Sequence, residues 1–483
     1  MITSAIGKLF LEAYNERYGT DYDAKRFFVE VYFPLFFGHD KYLLWPQNSP
    51  FVQPLRNVSG QYGYVETISG LNIDAKNTTD LNKHLESIIP PNTTILSNQI
   101  KKKKDGVVSS VEIIRTISDA DRNQMLSLFI KKAETSNPDA SMAIGYPAAG
   151  DKETTSGQVS NLFLNTTSQD VFFSWFGASL GVGVGDLTIL FTNKQILMDI
   201  FEGWQHYRKI IDHTAMQRGN QVNTWNGQWL VHRYRTNFDQ QHPLDELNIT
   251  SADKGGVISV ETTTWTQVLI GISRHFKSDV QMMGYVYNFG QTNTTIGFLP
   301  FYLEHIRRAL DLYQRHFGIE EGRKAEPLWG TERGLKTCCQ RGAIGIRAME
   351  PKALKGTWNR DERLRVNFDQ EQQRLNFNTY TIWLMAMLNS EDMWKKSEDF
   401  ARALQTYLSN TERRLNTART NKVEALLTSR GKRSFIAAAN EMMDDPQLAE
   451  ALREIVHLVH TMPDDNVPYF ITLIRFNKLA LDH

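Results

Sequence analysis

The sequence predicts an α+β chain: a mixed N-terminal body of helices and β-hairpins, followed by an all-helical C-terminal bundle. Three observations predict it. Residues 93–117 place two β-branched runs, TTILSNQI and VVSSVEIIRTI, on either side of KKKKDG, whose Asp-Gly pair is a hairpin turn signal. Residues 194–213, KQILMDIFEGWQHYRKIIDH, repeat apolar side chains at the spacing of an amphipathic helix. Beyond about Asp369 the helical period runs through 372–389, 391–427, 432–443, 446–460 and 466–481, with turns at Gly431, Pro446 and Pro463.

At 483 residues the chain is long enough for two or three domains. The composition shift near residue 365 divides a 1–365 body from a 366–483 helical bundle. The body has room for two subdomains, and its last stretch, 318–365, reads as an irregular connector rich in glycine, proline and charge. Within the body, residues 3–18 are helical, and Asp23 caps a second helix through Phe27, Phe28, Val31 and Phe36. Residues 119–136 are helical again. Residues 140–190 read as strand and turn, closing on DLTILF (186–191), a buried strand. A β-like segment at 256–265, a helix near 266–277, a Gly/Asn loop at 288–297 and a helix over 298–318 stopped by Gly318 complete the body.

The chemistry is less marked. Formal charge is zero, 54 basic against 54 acidic side chains, so any polyanion partner must use a local stripe. The two cysteines, Cys338 and Cys339, are adjacent and read as buried thiols, which fits a reducing cytoplasm. Residues 1–11 lack the pattern of a secretory signal, and no apolar run is long enough to span a membrane. There is no P-loop, dinucleotide fingerprint, HExxH, GxSxG or kinase signature. GASLGVGVGD (177–186) lacks the Lys-Ser/Thr ending of a phosphate loop and reads as a tight turn. Asp186 is the nearest candidate for a nuclease metal ligand, and Glu350-Pro-Lys352 matches a nuclease Glu-x-Lys only literally. No metal site or cofactor is expected.

Four features point toward nucleic acid. QRGNQVNTWNGQWLVHRYRTN (217–237) mixes Arg218, Arg233 and Arg235 with Asn220, Asn223, Asn226 and Gln228 and two tryptophans. Guanidiniums and amides grip phosphates and base edges, and flat rings stack on bases. The same mixture also suits a polar hairpin with its tryptophans turned inward. Lys101, Lys102, Lys103 and Lys104 form a cationic hairpin tip, which equally protects a sheet edge. Loops carrying Gln158 and Asn161 (154–170) and Gln291 and Asn293 (287–298) combine amides with glycine, which lets a backbone approach closely. Finally, fourteen basic against eight acidic side chains lie between Arg307 and Arg365, and seven against one between Arg413 and Arg433, including Arg430, Lys432 and Arg433.

The layout resembles the large subunit of type I CRISPR surveillance (Cascade) complexes. DDNVPYFITLIRFNKLAL (464–481) is similar to the closing helix of the small-subunit-like bundle in those proteins. TTSGQVSNL (154–162) resembles loops of their body, and FFVEVYFPLFF…KYLLWPQNSPF (27–51) resembles their opening. The zinc-binding cysteine pairs of some relatives are absent. The resemblance implies a non-catalytic, cytoplasmic subunit of a ribonucleoprotein complex, with guide RNA, target DNA, other CRISPR-associated subunits and a helicase–nuclease as partners. Its expected task is to recognise the protospacer-adjacent motif, assist duplex opening and support helicase–nuclease recruitment. The guide reads sequence by pairing while protein reads a short tag and backbone shape, as in another CRISPR effector class. Gln158, Asn161, Gln291, Asn293 and the lysine tip are the tag-reading candidates it implies. A restriction-type nuclease using Asp186 and a protein-interaction scaffold are the alternatives.

Overall fold

The structure is a computed structural model. It describes every residue except 48, 60, 75–77, 103–106, 136–141, 146–166, 215–217, 250, 255–256, 277–279, 289–293, 353–366, 391, 410–412, 444 and 482–483. The chain is α+β and divides into two compact units: residues 1–264 with 283–298, and residues 265–282 with 299–483.

The first unit opens with the Ile2–Tyr18 helix, which ends at Gly19 in the left-handed conformation. Asp23 caps the next helix by accepting from the Arg26 N–H, and a π-helical turn at Phe28–Tyr32 joins it to Phe33–Phe37. These segments turn inward a dense set of rings. Phe10 lies 5.6 Å from both Phe27 and Phe201, and Phe129 packs 4.7 Å from Trp175. Each fully buried ring contributes about 1.5–3 kcal/mol through apolar area removed from water.

The predicted hairpin forms between β3 (Ile95–Lys102) and β4 (Val107–Arg115). It belongs to a four-stranded sheet of order β1-β2-β4-β3, with β1 at Leu55–Val58 and β2 at Gln61–Asp74. Buried Arg115 on β4 forks onto Asp121, donating at 2.6 and 3.0 Å, and so ties the sheet to the Asp119–Thr135 helix. A second sheet has the order β10-β9-β6-β5, with β5 at Val182–Val184, β6 at Leu187–Phe191, β9 at Met282–Asn288 and β10 at Thr294–Phe301. Every residue of β6 is buried, as the DLTILF run predicts. A small hairpin, β7 (Ser251–Lys254) with β8 (Val257–Val260), completes the strands.

The second unit is built on the Glu371–Leu388 helix, buried over almost its whole circumference. The Leu303–Phe317, Ile319–Ala325 and Val467–Leu481 helices pack against it. The Asp392–Ser409 helix lies on Val467–Leu481, where Asn477 donates to the Ser397 hydroxyl at 2.6 Å inside the core. Residue 365 is therefore not a boundary between compact units, because the helices before it and after it bury the same central helix. Cys338 and Cys339 are both buried on the Glu332–Gln340 helix, and burial together with its neighbour pushes the Cys339 thiol up to about 11.

Several expectations need correction. Residues 168–179 are helix rather than strand or turn, started by a capping box in which Thr167 and Asp170 satisfy each other's backbone N–H. The helix expected from 298 starts at Leu303; β10 runs to Phe301, and Pro300 is tolerated because β10 is an edge strand. It ends where Gly318 takes φ 88°. Among the described residues the connector holds two α-helices, Ile319–Ala325 and Glu332–Gln340.

The Ile2–Tyr18 and Ser168–Ser179 helices cross at glycine on both sides. A Cβ on Gly7 would lie 2.1 Å from the Phe173 carbonyl oxygen, and one on Gly177 would lie 1.9 Å from that of Thr3. Backbone cannot yield as a flexible side chain can, so either methyl must push the helices apart. Gly7→Ala and Gly177→Ala are each expected to lower the thermal midpoint, costing about 1–3 kcal/mol or more as overpacking. A midpoint matching wild type in scanning calorimetry would contradict this helix contact.

Candidate nucleic-acid interface

Residues 217–237 form the Val222–Arg233 helix rather than a hairpin, and it is a core element of the first unit. Trp225 and Trp229 are buried, stacked 6.2 Å apart, and donate to the carbonyls of Gly203 and Asp199 at 2.8 and 2.7 Å. They fill the core and offer no stacking face. Asn226 is buried completely. Its amide donates to the Ser179 and Gly181 carbonyls, both at 2.8 Å, and its oxygen accepts from the Trp204 indole at 3.1 Å. Gln228 donates to the Glu261 carbonyl at 2.8 Å, and Asn223 weakly to that of Ala178 at 3.4 Å. Arg233 is only 10% exposed, lies 3.5 Å from Asp199 and stacks 4.5 Å over Phe238.

Asn226 and Gln228 are thus withdrawn as base or phosphate contacts, because their buried amides bond internally, and Arg233 is withdrawn because it is held in the core beside Asp199 and Phe238. Asn220 takes φ 52° and donates its N–H to the Tyr42 carbonyl, a turn role. Arg218 and Arg235 keep exposed side chains, although Arg235 donates to the Glu246 carbonyl at 3.1 Å. Burial also governs the titratable groups nearby. It raises the Tyr234 phenol, helped by Asp199, which accepts its hydrogen bond at 2.7 Å. It lowers His206 and His232, whose rings flank Trp229.

The other candidates separate. Lys101 is exposed near the end of β3 and Lys102 closes that strand. Lys103, Lys104, Gln158, Asn161, Gln291 and Asn293 lie outside the described residues. Asp186 is exposed in the turn between β5 and β6 rather than on a strand. Among the described residues no three His, Cys, Asp or Glu side chains converge to hold a metal ion, so the nuclease alternative has no geometry to support it there.

Arg430, Lys432 and Arg433 are brought together, in a groove of about 1230 Å³ within the second unit. The Lys432–Asn440 helix begins at Gly431, which has no side chain with which to cap it. Arg341, just past the Glu332–Gln340 helix, and Arg347, on the Ile346–Met349 turn, join it from an earlier part of the chain. His460, Asp464, Asp465 and Tyr469 line the remaining wall. The lining carries five cationic side chains and two carboxylates, a formal excess of three.

That excess is unevenly held. Lys432 pairs with Asp464 at 3.0 Å and donates to the His460 carbonyl at 3.0 Å; Arg347 pairs with Asp465 at 3.2 Å. Arg341, Arg430 and Arg433 are exposed, and no ion pair joins them to a carboxylate among the described residues. Tyr469 is half-buried at the rim, set edge-on to Trp383 at 5.3 Å, and the Trp383 indole donates to the Ile346 carbonyl at 2.9 Å. Guanidiniums bind phosphate oxygens bidentately, and a held aromatic ring can stack on a base. Sequence reading misses Arg341, Arg347, His460, Asp464, Asp465 and Tyr469 as site residues. The regional charge count contains Arg341 and Arg347, but nothing local marks them off from other surface arginines.

No protein family, curated protein or solved structure matches the chain.

The two regions predict opposite mutational outcomes. Asn226→Ala orphans two buried carbonyls and an indole N–H, at about 1–3 kcal/mol for each unsatisfied group, and is expected to lower the thermal midpoint by several degrees. Arg433→Ala is expected to leave that midpoint within about a degree, as an exposed substitution does. A stable Asn226→Ala protein would contradict the structural role.

Proposed function

We propose that the second unit binds the phosphate backbone of nucleic acid in the groove walled by Arg341, Arg430 and Arg433. On this reading the chain serves as the non-catalytic DNA-recognition subunit of an RNA-guided complex of the CRISPR surveillance type. The observation that carries it is the convergence of three exposed arginines, without carboxylate partners among the described residues, from segments almost a hundred residues apart in sequence. Like charges repel one another across a concave surface, and a polyanion relieves that repulsion while releasing its own counterions. Tyr469 adds a stacking edge suited to an unpaired strand or a frayed duplex end. The RNA-guided role rests in addition on the sequence resemblance of 464–481, whose segment supplies Asp464, Asp465, Pro468 and Tyr469 to this groove.

Two measurements test the proposal. Duplex and single-stranded DNA binding by the full chain should weaken steeply between about 50 and 300 mM salt, and R341A/R430A/R433A should reduce the log–log slope by about two to three. The same variant should lose roughly tenfold or more in affinity, equivalent to about 1.4 kcal/mol, with an unchanged thermal midpoint. Salt-insensitive binding, or a variant that binds as wild type does, would exclude the groove. For the RNA-guided role, affinity purification from the native host should recover small RNA and partner subunits; recovery of the chain alone would exclude that role.

A further inference from the structure

Two cations of the groove are already engaged by carboxylates of the same chain, and both carboxylates come from one short turn. Asp464 and Asp465 begin the Asp464–Asn466 turn between the Pro446–Thr461 and Val467–Leu481 helices. Their side chains are 81% and 78% exposed, whereas the partner side chains Lys432 and Arg347 are 27% and 32% exposed. The cations are thus more buried than the carboxylates that pair with them. Lys432 has a second hold on the His460 carbonyl, so its ammonium stays at the groove wall whether or not Asp464 is engaged.

We propose that Asp464 and Asp465 are internal phosphate mimics. They occupy Lys432 and Arg347 in the unbound protein and yield them to an incoming nucleic-acid backbone. The inference rests on the groove being a nucleic-acid site. Ion pairs this exposed are weak and screened by salt, so a run of phosphates held by Arg341, Arg430 and Arg433 displaces them at little cost. A single small anion meets the carboxylates without the rest of the backbone to drive the exchange. The pair therefore sets a threshold: Arg341, Arg430 and Arg433 make the first contact, and the two masked cations join only when adjacent phosphates arrive. All five cations of the lining then face phosphate, while the formal excess stays at three.

The test is a double-mutant cycle on the full chain, read by anisotropy of a short labelled single strand and of a duplex at several salt concentrations. D464N/D465N is expected to bind roughly three- to tenfold more tightly, with a log–log salt slope steeper by about one to two. R347Q/K432Q is expected to weaken binding, because it removes two groove cations and leaves two carboxylates unpaired; combined with D464N/D465N it should bring affinity back to about the wild-type value, abolishing the gain. D465N alone, which frees only Arg347, should show about half the increase in slope; it serves if the double variant folds poorly, as judged by thermal midpoint. D464N/D465N binding no tighter than wild type overturns the inference, as does a gain that survives R347Q/K432Q. If R341A/R430A/R433A binds as wild type does, the groove reading itself fails and the inference falls with it.

Discussion

One buried side chain organises the first unit. Asn226 accepts from Trp204 and donates to the carbonyls of Ser179 and Gly181, so a single amide joins the Lys194–His213 helix, the Val222–Arg233 helix and the turn leading into β5. Removal of one partner would leave the others unsatisfied in a dry interior, where an unmade hydrogen bond costs more than a made one contributes. The two tryptophans beside it follow the same rule, each indole N–H finding a backbone carbonyl. What looks in sequence like an array of reading groups is, at Trp225, Asn226, Gln228 and Trp229, a set of internal satisfactions. The segment is polar because its neighbours' backbones need partners.

The groove of the second unit shows the opposite balance. There the arginines outnumber the carboxylates, three of them have no ion pair among the described residues, and the surface is open to solvent. An interior polar group must be paired; an exposed arginine need not be, and it remains available for a ligand. Availability, rather than residue type, distinguishes Arg433 in the groove from Arg233 in the core, although both sit in equally suggestive stretches of sequence.

Much of the fold is legible in the sequence because one physical signal, the helical or alternating period of apolar residues, survives in it. The Lys194–His213 helix, the β3–β4 hairpin and the last helices stand where their patterns put them. The Ser168–Ser179 helix is obscured because its apolar residues run almost continuously, though the Thr167 and Asp170 capping pair was there to read. Residues 61–74, the longest strand among the described residues, carry glycines at 63 and 70 and too mixed a pattern to announce themselves. The site is harder, since Arg341 and Arg430 meet only through packing of the second unit, and no spacing rule connects them. Arg430, Lys432 and Arg433 were legible as a basic run; that Lys432 is partly spoken for by Asp464 was not.

The central claim is that nucleic acid lies against the second unit along the arginine groove. Photo-crosslinking of bound DNA to the full chain, followed by mass-spectrometric mapping of the adducts, tests it most directly. The account predicts adducts on the peptides containing Arg430–Ala437 and Pro468–Tyr469, with Tyr469 the principal ring attached. Adducts confined to residues 217–237, or to other parts of the first unit, would contradict it.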